Sequence, residues 1–166
     1  MSNLILGNLF SLIAMGTDSF SATRKSAKAV LLVQCISQFL YGMSSLVLKG
    51  YSAVVQSAVS IVRNLAAVKG NTAKWFEWTL VALGVGLGLL FNNLGPVGLL
   101  PVISNFEYSV AVFLFRDNEK ALKLAFLINV ALFAVFNVAI LNIVGVVGNL
   151  VVAGTTAVSL YKEKKK

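Results

Sequence analysis

The sequence predicts an all-α membrane protein with seven transmembrane helices in a 3+1+3 arrangement, two parallel triple-helix bundles joined by a linker helix. The first observation behind this prediction is composition: of 166 residues, 58% are apolar and only 12% are charged. A soluble domain carries about a quarter charged and just under half apolar residues. The other two observations are the placement of basic residues and an internal repeat.

Apolar runs between charges and turn residues give one candidate span after another. Each is close to the length of about 20 residues that a transmembrane helix needs. The seven spans are approximately 4–21, 29–48, 51–68, 77–93, 96–115, 121–141 and 143–161. The predicted units are a first three-helix repeat at 1–70, a linker transmembrane helix at 71–95, and a second three-helix repeat with a basic cytoplasmic tail at 96–166.

Lys and Arg set the predicted orientation. With the N-terminus outside, all of the 14 basic residues except Lys49 fall in cytoplasmic segments, as the positive-inside rule requires. The net charge of +8 is then mainly a topology signal, with anionic lipid as a partner of the 162–166 tail. We therefore expect a multi-pass membrane protein with the N-terminus outside, a cytoplasmic C-terminus and no nucleic-acid partner.

The charged segments between predicted spans repeat at an offset of 92 residues. Arg24 and Lys28 are matched by Arg116 and Lys120. The same ungapped offset places a serine of the first half opposite an asparagine of the second three times: Ser37 with Asn129, Ser45 with Asn137, and Ser57 with Asn149. Either a duplication or chance similarity explains these matches. A duplication with a fourth span between its copies gives both copies the same orientation.

Residues 23–60 resemble one half of the SemiSWEET transporters, with a basic-serine join and a helix ending in Tyr41-Gly42. Residues 124–153 resemble the second half of a SWEET-like transporter, and the whole chain also resembles the bacterial inner-membrane family labelled YgjV. The chain departs from the SWEET pattern, since neither half has a Pro-Gln motif or a Trp in its pocket helix. The resemblance implies a PQ-loop-like fold with a parallel pseudo-twofold axis.

No catalytic, metal or cofactor set is predicted. The chain has no histidine and one cysteine, so neither a Ser-His-Asp arrangement nor a thiolate metal site can form. Gly84, Gly86 and Gly88 do not continue into a dinucleotide fingerprint, because Leu89 stands where it needs glycine. The spacing of Gly84 and Gly88 instead favours close helix packing.

The predicted substrate-binding residues are uncharged donors and acceptors, with one aromatic ring, on equivalent helices of the two halves. Such groups suit a neutral solute that carries hydroxyls or amides. The alternative is that they hydrogen-bond helix to helix. They are Ser37, Ser45, Ser57, Asn129, Phe133, Asn137 and Asn149.

Pro101 and Glu107 are predicted to act in gating or coupling. Proline removes a backbone donor and can bend the fifth helix. A carboxylate near the middle of that span is costly to bury and should face protein or water. Glu107 then couples protons, anchors a substrate, pairs with Arg63, or is protonated in the interior.

The predicted function is transport of a small neutral polar solute, sugar-like or related, by alternating access through a midplane cavity. A non-transporting receptor or scaffold that binds a partner or signal in the same cavity is the alternative, since KDEL receptors resemble this helix arrangement. The partners are a small molecule and the bilayer, with a homo-oligomer left open. An enzyme is not expected.

The topology has a direct test. A reporter fused after Lys166 should be cytoplasmic, and one placed at Lys49-Gly50 should be external, because the basic residues lie on one side. Paired alkaline phosphatase and fluorescent-protein fusions measure this. A cytoplasmic signal at Gly50 or an external signal after Lys166 would rule out the seven-span topology and the parallel repeat.

Overall fold

Seven α-helices make up nearly all of the computed structural model, which describes residues 2–22, 27–69, 73–115 and 119–164. They are α1 Ser2–Ala22, α2 Ala27–Val47, α3 Tyr51–Lys69, α4 Lys74–Leu90, α5 Leu100–Leu114, α6 Glu119–Ala139 and α7 Ile143–Lys164. A short 3-10 helix, Gly95–Leu99, leads into α5. These residues contain no strand, which confirms the all-helical class.

Each predicted span coincides with one helix, and the largest differences lie between α4 and α5. The loop that ends α4 is organised by Asn92, whose Nδ2 donates to the Gly95 carbonyl at 2.8 Å while its Oδ1 accepts from the Leu94 N–H at 3.0 Å. These local bonds replace helical ones, so α4 ends earlier than its apolar run.

Pro101 lies in the first turn of α5, directly after the 3-10 helix, and its side chain is fully buried. A proline in the first turn costs no helical hydrogen bond, since that N–H has no partner within the helix. The structure therefore places Pro101 at the start of α5, directly after the 3-10 helix, and not in the interior of the helix. Its part in gating stays a prediction.

One segment of the described chain, Gly95–Leu114, is both long enough and apolar enough to cross a membrane by length and composition. Shorter apolar helical segments are Leu31–Val47, Lys123–Ala139 and Ile143–Val158. Passage of all seven helices through a bilayer, the 3+1+3 arrangement and the unit boundaries stay predictions.

The turn after α2 is closed by a residue in the left-handed region. Lys49 has φ 62°, and its N–H donates to the Leu46 carbonyl at 3.1 Å. The N–H of Gly50 then reaches back to the Ser45 carbonyl at 2.7 Å. This pair of bonds is the Schellman motif, which satisfies the last carbonyls of a helix.

The same turn recurs after α6, 92 residues later. Leu141 has φ 57° and donates to the Val138 carbonyl at 3.1 Å, while Asn142 donates to the Asn137 carbonyl at 2.9 Å. Helices α2 and α6 also begin and end at positions separated by this offset. The turn and the bounds of the helix before it thus recur at the predicted offset, and the three-helix repeat itself stays a prediction.

The contacts between helices follow the same pattern of repetition. Helix α2 packs on α1 and α3, and α6 packs on α5 and α7. Between the two sets, α1 contacts α7 and α3 contacts α5. Exchanging α1, α2 and α3 with α5, α6 and α7 returns the same pairs. We call these sets the first and second helical units; α4 packs on α3 and α5.

The glycines of α4 are packing residues on one face. A Cβ at Gly88 would lie 2.4 Å from Gln56 Nε2 and 2.7 Å from Val102 Cγ2. One at Gly84 would lie 3.3 Å from Val59. Only glycine lets α4 approach α3 and α5 this closely, so the packing interpretation of Gly84 and Gly88 is confirmed.

Where the two units meet, one contact and its counterpart 92 residues away combine residues of different sizes. Gly50 lies against the fully buried Phe136, whose Cζ would be 2.7 Å from a Cβ at Gly50. At the positions related by 92 residues, the pair is instead Asn142 and Ser44, with Nδ2 and Oγ 3.4 Å apart. One contact thus combines glycine with phenylalanine, and its counterpart combines asparagine with serine.

This alternation predicts energetic coupling between positions 50 and 136. Gly50→Asn alone should destabilise the protein by about 1–3 kcal/mol through overpacking against Phe136. Adding Phe136→Ser recreates the asparagine–serine pair, so the double variant should be at least about 1 kcal/mol more stable than the sum of single effects. Thermal unfolding in detergent measures the cycle.

Gly86 provides the control for this cycle, because a Cβ there meets nothing within 4 Å. Gly86→Ala should be neutral or slightly stabilising, whereas Gly50→Ala should be destabilising. Strict additivity of Gly50→Asn and Phe136→Ser would contradict the proposed equivalence of the two contacts.

Candidate functional site

Buried polar side chains concentrate in three clusters between helices. The Asn142 cluster consists of Ser11, Ser44, Asn137 and Asn142. The Arg63 cluster consists of Gln56, Ser60, Arg63, Asn105 and Ser109. The Asp18 cluster consists of Asp18, Ser37 and Tyr41.

The Asn142 cluster joins the two units at their paired turns. Asn142 Nδ2 donates to Ser11 Oγ at 2.8 Å and to Asn137 Oδ1 at 3.1 Å. Its Oδ1 accepts from the Gly145 N–H at 3.0 Å. Ser11 Oγ also shares a hydrogen bond of 2.8 Å with Ser44 Oγ. All four polar side chains are buried, so one asparagine links α1 and α2 to the α6–α7 turn.

The Arg63 cluster is organised around Asn105 of α5. Asn105 Nδ2 donates to Gln56 Oε1 at 2.7 Å, and Gln56 Nε2 donates to the Gly84 carbonyl at 2.8 Å. Asn105 Oδ1 accepts from Ser60 Oγ at 3.2 Å and from Arg63 Nη1 at 3.1 Å. These bonds join α3, α4 and α5. The three α3 side chains recur at helical spacing and share one face.

Arg63 is 8% exposed and has neutral partners. Its Nη1 also donates to Ser109 Oγ at 2.9 Å, and its Cζ lies 5.2 Å from the centre of the Tyr108 ring. Within the described part of the chain, hydrogen bonds from the cation and a cation–π contact stabilise the charge. Arg63 is therefore held between helices and is not a solvated side chain.

Glu107 does not pair with Arg63 in the described part of the chain, where its Oε2 is buried without a hydrogen-bond partner. The hypothesis of a structural Glu107–Arg63 ion pair is therefore wrong, because Arg63 Nη1 is directed to Asn105 and Ser109. The proton-coupling, substrate-anchoring and protonated-interior hypotheses for Glu107 stay open.

The Asp18 cluster lies between α1 and α2. The Asp18 carboxylate accepts a hydrogen bond from Ser37 Oγ, and the Tyr41 hydroxyl lies near it. Arg24 and Lys25, the basic residues that follow Asp18 in the sequence, lie outside the described residues. The hydrogen bond ties the predicted binding residue Ser37 to an acid.

The remaining predicted binding residues have different surroundings. Asn129 Nδ2 donates to the Ser104 carbonyl while Ser104 Oγ donates to the Asn129 carbonyl, both at 3.0 Å. Phe133 meets Phe136 edge to face, with ring centres 6.4 Å apart. Ser45 and Ser57 are buried, and Asn149 on α7 is half-buried. Asn137 joins the Asn142 cluster, whereas Asn129 ties α6 to α5 within one unit.

Two small cavities border the Arg63 cluster. One of about 20 Å³ is lined by Arg63, Phe76 and Glu77 among others, and one of about 10 Å³ by Gln56, Gly84 and Asn105 among others. Each has room for about one water molecule. Pockets for small ligands reach about 300 Å³ or more, so these polar groups contact each other rather than enclosing room for a solute.

The sequence did not single out Ser11, Ser44 or Asn142 as site residues. Asn142 marked only a break between spans, yet it stands 92 residues after Gly50, at the end of a repeated turn. A large polar residue replacing glycine at a repeated position was the available signal. The partners of Asn142 in α1 and α2 can be identified only from the tertiary structure.

A family model described as Imp-YgjV, bacterial inner membrane protein, matches residues 5–166. This match spans all seven helices. No curated protein and no solved structure matches the chain at a significant level. The resemblance to the SWEET and PQ-loop transporters is not shown by these comparisons.

The clusters predict different roles for Asn137 and Asn149, two asparagines that the sequence predicts to bind substrate. Asn137→Leu should lower the stability by about 1–3 kcal/mol, because it removes an acceptor from the buried Asn142 amide. Asn149→Leu, the matched control, should change stability by less than about 0.5 kcal/mol. Melting temperature and yield of the purified variants measure this. Equal losses in both variants would contradict a structural role specific to Asn137.

Proposed function

Because this chain belongs to the Imp-YgjV family of bacterial inner membrane proteins, we propose that it transports a small neutral polar solute by alternating access. In this proposal the seven helices all cross the membrane, with the N-terminus outside and the C-terminus cytoplasmic. The first and second helical units rock against each other, and the solute passes between them.

The single observation that carries the proposal is the interface between two repeated units. The turns after α2 and α6 have the same pair of backbone hydrogen bonds. The Asn142 cluster places buried hydroxyl and amide groups between the units. Transporters built from structural repeats bind their solutes at such interfaces and move one repeat against the other.

The energies of these contacts suit a rocking motion. Hydrogen bonds between helices in a membrane contribute about 0.6 kcal/mol each on average. Separating a cluster of a few such bonds costs a few kcal/mol, the usual gap between a major and a minor conformation. The interface can therefore be closed in one state and open in another.

The side chains that would face the solute support a neutral substrate. The Asn142 cluster contains hydroxyls and amides only, and these groups donate to and accept from hydroxyl-bearing molecules. Arg63 is bound by Asn105, Ser109 and Tyr108 between α3 and α5, so its charge is already stabilised by the protein.

The test begins with ligand-induced stabilisation of the purified protein by sugars, polyols, nucleosides and vitamins. A compound that raises the melting temperature is then measured for uptake into liposomes, with protein-free liposomes as the control. Uptake above the control supports transport. Stabilisation without uptake favours the receptor alternative, and no stabilisation by any of these classes contradicts a neutral polar solute.

Uptake should not respond to an imposed pH gradient. Glu107 is the one acid near the middle of a predicted span, and Met15 occupies the position related to it by 92 residues. Glu107→Gln keeps the shape of the side chain and should leave uptake within about twofold of the native rate. Glu163→Gln is the control for loss of one negative charge.

A gradient-driven native rate that Glu107→Gln makes gradient-independent would overturn this prediction. That result would assign proton coupling to Glu107 and leave the alternating-access proposal intact.

A further inference from the structure

Asn93 fastens the turn after α2 from outside the first unit. Its Nδ2 donates to the Lys49 carbonyl at 2.7 Å, and its Oδ1 accepts from the Tyr51 N–H at 3.3 Å. Lys49 is the left-handed residue of the turn, and Tyr51 begins α3. Asn93 lies in the loop between α4 and the 3-10 helix that leads into α5, so it connects the segment before the second unit to the turn of the first.

Asn8 fastens the turn after α6 in the same way. Its Nδ2 donates to the Leu141 carbonyl at 3.2 Å, and its Oδ1 accepts from the Val144 N–H at 3.0 Å. Leu141 is the left-handed residue of this turn, and Val144 lies in the first turn of α7. Since Asn8 belongs to α1, the first unit fastens the turn of the second.

The two asparagines are equivalent in chemistry and reciprocal in connectivity. Each amide binds the carbonyl of a left-handed residue, and the two carbonyls lie 92 residues apart. We call Asn8 and Asn93 the asparagine clamps. The Schellman bonds already close each turn on its own helix. The clamps are therefore not needed to form the turns, and their particular effect is to connect the units.

Both turns join helices at the same end of the molecule. The distribution of basic residues predicts that this end faces the external side of the membrane. The Asn142 cluster lies directly behind them, and Ser44 in it is fully buried. Three of the four clamp bonds are exposed and the bond from Val144 to Asn8 is half-buried, so water can replace them when the units separate.

From this arrangement we propose that Asn8 and Asn93 form the outer gate of the transporter, and that release of both clamps opens the path to the Asn142 cluster from outside. This inference rests on the proposed function. It adds the gating residues and predicts that the two clamps contribute comparably, although they come from unrelated positions in the chain.

The test uses accessibility of a buried thiol and needs no solute. In a Cys35→Ser background, Ser44→Cys reports on the Asn142 cluster, and a membrane-impermeant maleimide is added to intact spheroplasts. The reporter should react slowly in the otherwise native protein. With Asn8→Ala and Asn93→Ala together it should react about tenfold faster or more, as expected from the loss of four hydrogen bonds between the units. Each single substitution should give a comparable part of this increase.

Asn92→Ala is the matched control. Asn92 neighbours Asn93, and among the described residues its side chain bonds within its own loop, to Gly95 and Leu94. It should leave the reporter protected. An equal increase for Asn92→Ala would show that any disturbance of this loop exposes the thiol, and would overturn the gate.

A second pair of variants separates gate opening from misfolding. Asn8→Asp and Asn93→Asp keep an acceptor for the Val144 and Tyr51 N–H groups but lose the donor to Leu141 and Lys49. They should give an intermediate labelling rate with a melting temperature close to native. Labelling that rises only in variants with a collapsed melting temperature would overturn the gate.

Failure of the gate and failure of the transport proposal give different results. Native labelling rates in the clamp variants, together with solute uptake, would exclude the gate and keep transport. Faster labelling without uptake of any solute class would support the clamps as the contact that closes this end of the protein. It would contradict the proposed transport function.

Discussion

The left-handed turn that closes α2 and α6 is the constraint on which the rest of the structure depends. A non-glycine residue with positive φ costs about 1–2 kcal/mol, and the chain accepts this at Lys49 and again at Leu141. The turn reverses the chain within a few residues, so α3 and α7 must run back beside α2 and α6. With both hairpins fixed, the remaining contacts are those that let two similar units face each other.

Two copies of one unit can make the same contact twice with the same residues, as a symmetric dimer does. This chain instead has different residues at the two copies of one contact. Gly50 leaves room for Phe136 at one contact, and Asn142 reaches Ser44 at the other. The first contact is apolar and close-packed, and the second is a hydrogen bond. The two contacts are thus equivalent in position and different in chemistry.

The two interfaces between units also differ in chemistry. Between α3 and α5 lies the Arg63 cluster, which includes α4 through the Gly84 carbonyl. At the corresponding α1–α7 contact, Met15 lies 3.2 Å from the place of a Cβ at Gly148. Asn8 of α1 also accepts a hydrogen bond from the Val144 N–H of α7. The α3–α5 interface thus contains a buried cation, and the α1–α7 interface combines close packing with a hydrogen bond to the backbone.

Composition, charge placement and the offset of 92 residues were sufficient to predict seven helices, their approximate bounds and the repeated hairpins, since all of these follow from local apolar runs and turns. The sequence also singled out Asn137, as a substrate-binding residue. It could not determine that Asn137 bonds to Asn142, that Arg63 bonds to Asn105 rather than Glu107, or that Asn8 reaches Leu141. These partners lie on helices far apart in the chain, and only the packing of the two units decides which polar groups satisfy one another.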